Sequence, residues 1–326
     1  MTEHRGDALL ELKDVTTTFR FGMRTLVAVN DVSMLIRERE IVGIVGESGC
    51  GKSMTAFSIL GIVPHPGRVE SGHIFLGGND LLSMPYRGMR RLRGSVISLV
   101  YQDPLSSLNP SYPVLWHFSE VLRAHGKRPS SRKTARIAVE SLQRVKIPSP
   151  EEKIHQYPHQ LSGGMRQRIV IALSLLLKPK IIIADEPTTA LDVTTQKEIF
   201  NLIEWLKQEF SISFIVISHD LNLLGERCDR IYVMYSGQVV EAGSSEEIFQ
   251  HPLHPYTQGL IHSVPRLDAG EEKLSIIRGE VQNLMELPHG CFFQKRCDFV
   301  EQRCISNPQE LRVVENHREV RCWKAK

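Results

Sequence analysis

The fold of this chain is decided by the stretch Gly46-Glu47-Ser48-Gly49-Cys50-Gly51-Lys52-Ser53. It fits the pattern G-x-x-x-x-G-K-[ST] without a gap, follows an apolar run at 41–45 and precedes a segment that can continue as a helix. In that strand–loop–helix context, backbone N–H groups and the helix N-terminus surround phosphate oxygens. We therefore predict a nucleotide site built from residues Gly46 to Met54, in which Lys52 reaches the β- and γ-phosphates and Ser53 ligates Mg²⁺.

A second site signal lies downstream, where the apolar run Ile181-Ile182-Ile183-Ala184 ends in Asp185 and Glu186. An apolar run bounded in this way is typical of a buried parallel strand whose carboxyl end faces a site. Asp185 is placed to complete the Mg²⁺ shell. Glu186 is placed to polarise an attacking water.

Composition limits the class of protein. The chain has 326 residues, which suggests two domains or one domain with a sizeable extension. The formal net charge of +3 is close to balance, so nothing demands a nucleic-acid partner. No stretch approaches the roughly 18 uninterrupted apolar residues of a spanning helix, and residues 1–7 contain no apolar run typical of a secretory signal. We therefore expect a cytoplasmic protein that serves a membrane only by docking onto separate membrane subunits.

The periodicity of the apolar residues predicts how the chain is organised into strands, helices and domains. Alternating strand-like and helix-like segments predict an α/β protein with a parallel core, a first edge strand near 9–15 and the site at the carboxyl ends of the strands. Residues 104–160 show helical spacing at 114–125 and 131–145, which predicts a helical insert. We expect the core at 8–103 and 161–245, the insert at 104–160 and a C-terminal extension at 246–326.

The extension contains four of the six cysteines, Cys291, Cys297, Cys304 and Cys322. Disulfides are disfavoured in the cytoplasm, so clustered cysteines point to metal or redox chemistry. Their spacing lacks the paired C-x2-C knuckles of common zinc sites. From the residues alone, a metal site and free thiols both stay open. Because the extension has few apolar residues, we expect a metal to be needed to hold it together.

The segment Leu161-Ser162-Gly163-Gly164-Met165 resembles the signature of ABC-transporter ATPases, whose usual fifth residue is glutamine. Other matches follow in family order: Gln102 as the Q-loop glutamine, Ala190-Leu191-Asp192 as the D-loop and Ser218-His219-Asp220 as the switch-histidine segment. The resemblance covers residues 8 to about 240, and it implies a P-loop NTPase of RecA-like fold with antiparallel edge strands.

The resemblance also implies roles for individual residues. Glu186, His219, Gln102 and Lys52 would be catalytic, and Gln102 would join Ser53 and Asp185 around Mg²⁺. Phe19, or alternatively Phe21, would stack on adenine. The nucleotide site of this family is split between two subunits. Ser162, Gly163 and Gly164 would therefore face the ATP of a partner chain, with Ser162 as the N-cap of the signature helix.

A closer resemblance is to the dipeptide/oligopeptide permease ATPases. It is carried by Gln102-Asp103-Pro104, by Tyr157-Pro158-His159-Gln160, by His254-Pro255-Tyr256-Thr257 and by the cysteine-bearing C-terminus. It implies a D-type ATPase subunit for peptide import, although nickel or oligosaccharide importers belong to the same subfamily. The implied partners are a second, related ATPase chain, two transmembrane permease subunits and, indirectly, an extracytoplasmic substrate-binding protein. The implied location is the cytoplasmic face of the membrane.

The same resemblance implies that Cys291, Cys297, Cys304 and Cys322 carry a [4Fe–4S] cluster, for which four thiolates are the ligand count. Zinc and free thiols are the alternatives. For the whole chain, the alternative is a soluble ABC ATPase of DNA repair or of the ribosome, but the chain has neither a long coiled-coil insert nor a second cassette. A non-catalytic regulatory cassette is disfavoured because Lys52, Asp185, Glu186 and His219 are all present.

Overall fold

A computed structural model describes residues 8–189, 191–263, 277–280, 282, 284–314 and 318–325. The strands are β1 (Ala8–Phe21), β2 (Arg24–Arg37), β3 (Ile41–Val45), β4 (Gly67–Leu76), β5 (Asn79–Asp80), β6 (Ile97–Val100), β7 (Ile181–Asp185), β8 (Ser213–Ser218), β9 (Arg230–Tyr235), β10 (Gln238–Ser244), β11 (Arg312–Val313) and β12 (Glu319–Val320). The helices are α1 (Lys52–Leu60), α2 (Tyr86–Leu92), α3 (Pro104–Ser107), α4 (Val114–Ala124), α5 (Ser131–Arg144), α6 (Pro150–Lys153), α7 (Gly163–Leu175), α8 (Val193–Phe210), α9 (Leu221–Gly225), α10 (Ser245–Gln250), α11 (Pro255–His262) and α12 (Gln302–Ser306).

The chain divides into two compact units. The first combines Met1–Met84 with Ile217–Lys326, and the second is Pro85–Val216. Strand β8 therefore begins in the second unit and ends in the first. None of the helices that the structure describes combines the length and the hydropathy that a membrane crossing requires.

The first unit contains an antiparallel sheet in the order β2-β1-β4-β5. Buried apolar side chains on β1, such as Leu10, Leu12 and Val15, alternate with more exposed ones, as expected for a sheet with one buried face. We predicted an edge strand near residues 9–15, and that prediction is wrong. β1 pairs with β2 on one side and with β4 on the other, because β4 returns antiparallel to it with Leu12 opposite Ile74.

The first unit also contains strands in the order β11-β12-β10-β9-β3. β3 is buried along its whole length and runs parallel to β9, with Val42 opposite Arg230. β9 and β10 form an antiparallel pair. As a result, the end of β3, where the predicted phosphate-binding loop starts, lies next to the backbone of β9.

The C-terminal extension joins this sheet through β12, which pairs antiparallel with β10. Two arginines fix the pairing from inside. Arg318 contacts the fully buried Glu241 at 2.6 Å, and Arg321 donates to the carbonyl of Val239 at 2.9 Å and contacts Asp31. The expectation that a metal must hold this segment together is wrong, because buried, paired guanidinium groups attach it to the first unit.

The second unit contains β6 and β7, which run parallel, and the first part of β8, in the order β8-β7-β6. The helices predicted at 114–125 and 131–145 are present as α4 and α5. β7 is buried along its whole length and ends at Asp185. The helix α7 begins within the signature segment, at Gly163, and α8 follows the segment after β7.

Candidate functional site

The predicted phosphate-binding loop connects β3 to α1 in the first unit. Two of its positions require glycine. A Cβ on Gly46 would lie 2.2 Å from the carbonyl oxygen of Met234, and one on Gly51 would lie 2.3 Å from that of Ala28. Gly51 also has a φ of 102°, which L side chains rarely adopt. The backbone of the neighbouring strands therefore leaves room only for glycine at these two positions of the loop.

Lys52 lies across this loop. It is 5% exposed, and its Nζ donates to the carbonyl oxygens of Gly46 at 2.7 Å and Glu47 at 2.9 Å. Gly51 precedes α1 as its N-cap and supplies no capping side chain, an arrangement that suits anion binding at the first turn. Cys50 is buried, and burial raises the pKa of its thiol.

Two other predicted site residues belong to the first unit. Phe19 packs against Gly67, where a Cβ would lie 2.5 Å from the phenyl ring, whereas Phe21 is 49% exposed and stacks on Phe19 with ring centroids 6.4 Å apart. Which of the two contacts adenine stays a prediction. His219 follows β8 in an exposed position, next to the Asp220 that caps α9.

The second unit brings Gln102 and Glu186 together. The Gln102 amide nitrogen donates to Glu186 Oε2 at 2.8 Å, although 84 residues separate the two positions. Asp185 is 4% exposed at the end of β7. Glu186 adopts a left-handed φ of 46°, which is strained for a residue other than glycine.

Thr189 is a residue that the sequence analysis missed. Its Oγ1 donates to Glu186 Oε2 at 2.8 Å, the oxygen that also accepts from Gln102. The carboxylate of Glu186 is therefore held in one orientation from two sides. The only sequence signal was a pair of threonines shortly after the two carboxylates, which is also typical of an ordinary turn.

The signature segment lies against the segment that precedes α8. Ser162 is the N-cap of α7, as predicted, and accepts from the Met165 N–H. A Cβ on Gly163 would lie 3.2 Å from Leu191, and one on Gly164 would lie 2.7 Å from the Thr195 methyl group. The small residues therefore let the start of α7 approach the start of α8.

A groove of about 400 Å³ runs along this junction. Its lining includes Ser162, Gly163, Gly164, Asp192 and Thr195. Asp192 caps α8 through the Thr195 N–H at 2.9 Å and also accepts from the Thr195 hydroxyl, and these hydrogen bonds lower the pKa of its carboxyl group. The second unit thus presents two capped helix N-termini beside one groove.

The four cysteines of the extension, Cys291, Cys297, Cys304 and Cys322, line one small cavity. The prediction that they carry a [4Fe–4S] cluster is nevertheless wrong. Throughout the residues that the structure describes, which include all four cysteines, no group of three or more Cys, His, Asp or Glu side chains is arranged to hold a metal ion. The same finding removes the zinc alternative, and the four side chains are free thiols.

Burial among protein groups raises the pKa of Cys291 to about 11 and also raises the pKa of Cys297. Cys304 is buried and accepts a hydrogen bond from Trp323 Nε1 at 3.1 Å. Here the thiols serve as small packing groups around Phe293 and Trp323.

Family comparisons agree with the arrangement of these motifs. Residues 29–189 match the ABC transporter family, and residues 240–304 match the family described as the oligopeptide/dipeptide transporter C-terminal region. The second match covers β10, α10, α11 and part of the extension. The chain therefore resembles this family both in its nucleotide-binding segment and beyond it.

Individual relatives are similar over nearly the full length. The oligopeptide transport ATP-binding protein OppD of Escherichia coli K12 is 44% identical over 94% of this chain and 91% of its own length. The dipeptide transport ATP-binding protein DppD of Haemophilus influenzae is 41% identical over 97% of this chain and 95% of its own length.

Solved structures give the same fold. The ATP-binding cassette MJ0796, a dimer solved in a post-hydrolysis state with ADP and phosphate, superposes with a TM-score of 0.64 at 28% identity, over 72% of this chain and 98% of its own. CbiO1 of Clostridium perfringens, part of an ABC transporter complex, superposes with a TM-score of 0.65 at 28% identity, over 75% of this chain and 92% of its own. The chain belongs to the ATP-binding subunits of ABC transporters, in the branch that carries the oligopeptide/dipeptide transporter C-terminal region.

Proposed function

We propose that this chain hydrolyses ATP to power the import of oligopeptides or dipeptides through a membrane ABC transporter. The observation that carries the proposal is similarity to OppD and DppD over nearly the whole chain, including the C-terminal region at 240–304. Nickel or oligosaccharide import is not favoured, because these relatives are named for peptide transport. A soluble ABC ATPase is not favoured for the same reason.

In this function, residues 46–54 bind the triphosphate through backbone N–H groups, Lys52 contacts the β- and γ-phosphates, and Phe19, or alternatively Phe21, stacks on adenine. The oxygen donors of Ser53, Asp185 and Gln102 fit Mg²⁺, which prefers such ligands. When bound, Mg²⁺ neutralises charge on the phosphates.

Hydrolysis needs a base and a residue that senses the γ-phosphate. Glu186 accepts the proton of the attacking water, and its contacts with Gln102 and Thr189 support that role because they orient the carboxylate. His219 is the proposed contact to the γ-phosphate. The hydrolysed bond joins the γ-phosphorus to the bridging oxygen, and the products are ADP and phosphate.

The proposed assembly has two ATPase subunits and two transmembrane subunits at the cytoplasmic face of the membrane, supplied by an extracytoplasmic substrate-binding protein. Ser162, Gly163 and Gly164 complete the ATP site of the second ATPase subunit, which we propose to be a related chain. The exposed, capped start of α7 supports this role, because a helix N-terminus favours an anion.

The proposal is tested by affinity purification of the tagged chain from membranes, followed by mass spectrometry and reconstitution into vesicles. We expect co-purified transmembrane subunits, together with ATP-dependent peptide uptake that is lost in the Lys52→Ala variant. Purification without transmembrane subunits, or vesicles that hydrolyse ATP but take up nickel rather than peptide, would contradict it.

A further inference from the structure

The C-terminal extension contacts the phosphate-binding loop directly, at Glu47. The guanidinium of Arg296 forms a two-point ion pair with the Glu47 carboxylate, with Nη1 to Oε2 at 2.6 Å and Nη2 to Oε1 at 2.9 Å. The two residues are 249 positions apart in the sequence. A planar, two-point pair fixes both the distance and the orientation of the carboxylate.

The backbone of Glu47 is held as well. Its N–H donates to the hydroxyl of Tyr256 at 2.9 Å, and its carbonyl oxygen accepts from Lys52 Nζ. Tyr256 is fully buried at the start of α11, and burial raises the pKa of its hydroxyl well above the usual range, so the group stays neutral. Glu47 is thus anchored through its side chain, its N–H and its carbonyl group.

Arg296 is itself buried and held by further contacts. Its side chain is 4% exposed, its Nε donates to the carbonyl oxygen of Arg278, and its guanidinium lies 5.7 Å from the ring of Tyr235 and 5.9 Å from that of Phe293. Both rings are buried. An arginine packed against aromatic faces and paired with a carboxylate stays charged and in place.

Charge explains why the loop needs this partner. A carboxylate in a loop that binds phosphates repels them unless a cation neutralises it, and the Glu47 side chain is only 27% exposed. We propose that Arg296 and Tyr256 are positioning residues of the ATP site. Through Glu47 they hold the loop in its phosphate-binding conformation and cancel its negative charge, so the extension takes part in ATP binding.

The test is equilibrium titration of the full-length chain with a fluorescent ATP analogue. We expect Arg296→Met to weaken ATP binding about tenfold, because it leaves the carboxylate of Glu47 unpaired beside the phosphates. Arg296→Lys keeps the charge but loses the two-point pairing, and its affinity should be intermediate.

The double variant Glu47→Gln/Arg296→Met removes both charges and should restore most of the affinity for ATP. A merely structural role for Arg296 would not give this rescue. Tyr256→Phe should also weaken binding, because the Glu47 N–H loses its acceptor.

The matched control is Arg321→Met. Arg321 is an equally buried arginine of the extension, 5% exposed, and its contacts are with Val239, Gln309 and Asp31 rather than with the loop. We expect this variant to melt at a lower temperature and to bind ATP as the unaltered chain does. Equal ATP affinity in the unaltered chain, Arg296→Lys and Arg296→Met, or a double variant no better than Arg296→Met, would overturn the proposal. The inference rests on ATP binding by this loop; an unaltered chain that bound no ATP would instead count against the proposed function.

Discussion

Glu186 shows how single residues shape the site. Its left-handed backbone is of a kind that costs roughly 1–3 kcal/mol for a residue other than glycine and persists only where surrounding contacts impose it. Here the hydrogen bonds from Gln102 and Thr189 fix the carboxylate after the backbone has turned. Glu186 immediately follows the buried Asp185, so two carboxylates that differ in burial lie at the end of one strand.

We expect Glu186→Gln to lower the rate of ATP hydrolysis by about two to four orders of magnitude, because the amide keeps the shape of the side chain but cannot accept a proton. ATP affinity should be retained. Single-turnover hydrolysis and ATP titration of the same preparation measure the two effects separately. Unchanged turnover would remove Glu186 from the role of base.

Thr189→Val should lower the hydrolysis rate about tenfold, because it deletes one hydrogen bond to the carboxylate of Glu186, the proposed base, while preserving the shape of the side chain. Thr189→Ser retains the hydroxyl and serves as the control. A steady-state assay of kcat and KM for ATP distinguishes the cases. If the valine variant lost ATP affinity and kept its kcat, Thr189 would act on binding rather than on the orientation of Glu186.

At the scale of elements, the beginnings of α7 and α8 form one local structure. Ser162 caps the first helix and Asp192 caps the second, and each side chain accepts from the N–H three positions later. Gly164 fits against Thr195 because no side chain intervenes. Capping residues and glycines are local signals, which explains why the sequence predicted the start of α7 correctly.

Ser162→Arg tests the proposed role of α7 across a subunit interface. A bulky cation at the exposed helix start should lower hydrolysis in the assembled transporter, by on the order of a hundredfold, because it displaces the donors aimed at the partner's γ-phosphate. ATP binding by the isolated chain should change little. Ser162→Thr, which keeps the capping oxygen, is the control. A large loss of ATP binding in the isolated chain would contradict the split site.

At the scale of the whole first unit, buried polar groups connect the C-terminal extension to the rest of the unit. Glu241 is fully buried and accepts from the Leu253 N–H at 2.8 Å, from the His254 N–H at 2.9 Å and from Arg318. His254 is buried beside it, and its Nδ1 accepts from the Tyr256 N–H at 3.0 Å. Burial, together with the charge of Arg321, lowers the pKa of His254 to about 3.

This shift predicts a pH dependence of stability. The pKa of His254 in the folded chain lies below the usual value of about 6.5, so the unfolded chain binds the extra proton first on acidification. The contribution of neutral His254 to the free energy of unfolding is therefore fully present above about pH 6.5 and is lost as the pH falls toward about 3. The limiting slope of the free energy of unfolding is about 1.4 kcal/mol per pH unit. Chemical denaturation between about pH 5 and 7, above the range in which most carboxylates titrate, measures it.

His254→Asn is the control, since asparagine can also cap α11 but does not titrate. The variant should lose most of the pH dependence between about pH 5 and 7. An identical slope in the unaltered chain and in the variant would show that folding does not lower the pKa of His254.

The sequence by itself determined the features that local chemistry encodes. The loop Gly46–Ser53 needs glycine at positions 46 and 51, β3 and β7 need apolar runs, and α7 needs Ser162 as its cap, so each is visible within a few residues. The helices at 114–124 and 131–144 follow from side-chain periodicity in the same way.

Only the tertiary structure decided which distant groups meet. The pairing of Gln102 with Glu186 and that of Glu47 with Arg296 join positions that are far apart in the chain, and no periodic pattern specifies such contacts. The cysteines show the converse. Their nearness in sequence suggested a ligand set, but in the fold they are free thiols that pack around aromatic rings. Residues that are neighbours in sequence determine the local backbone geometry. The charge state of a side chain and the groups it contacts depend instead on burial, which only the whole fold creates.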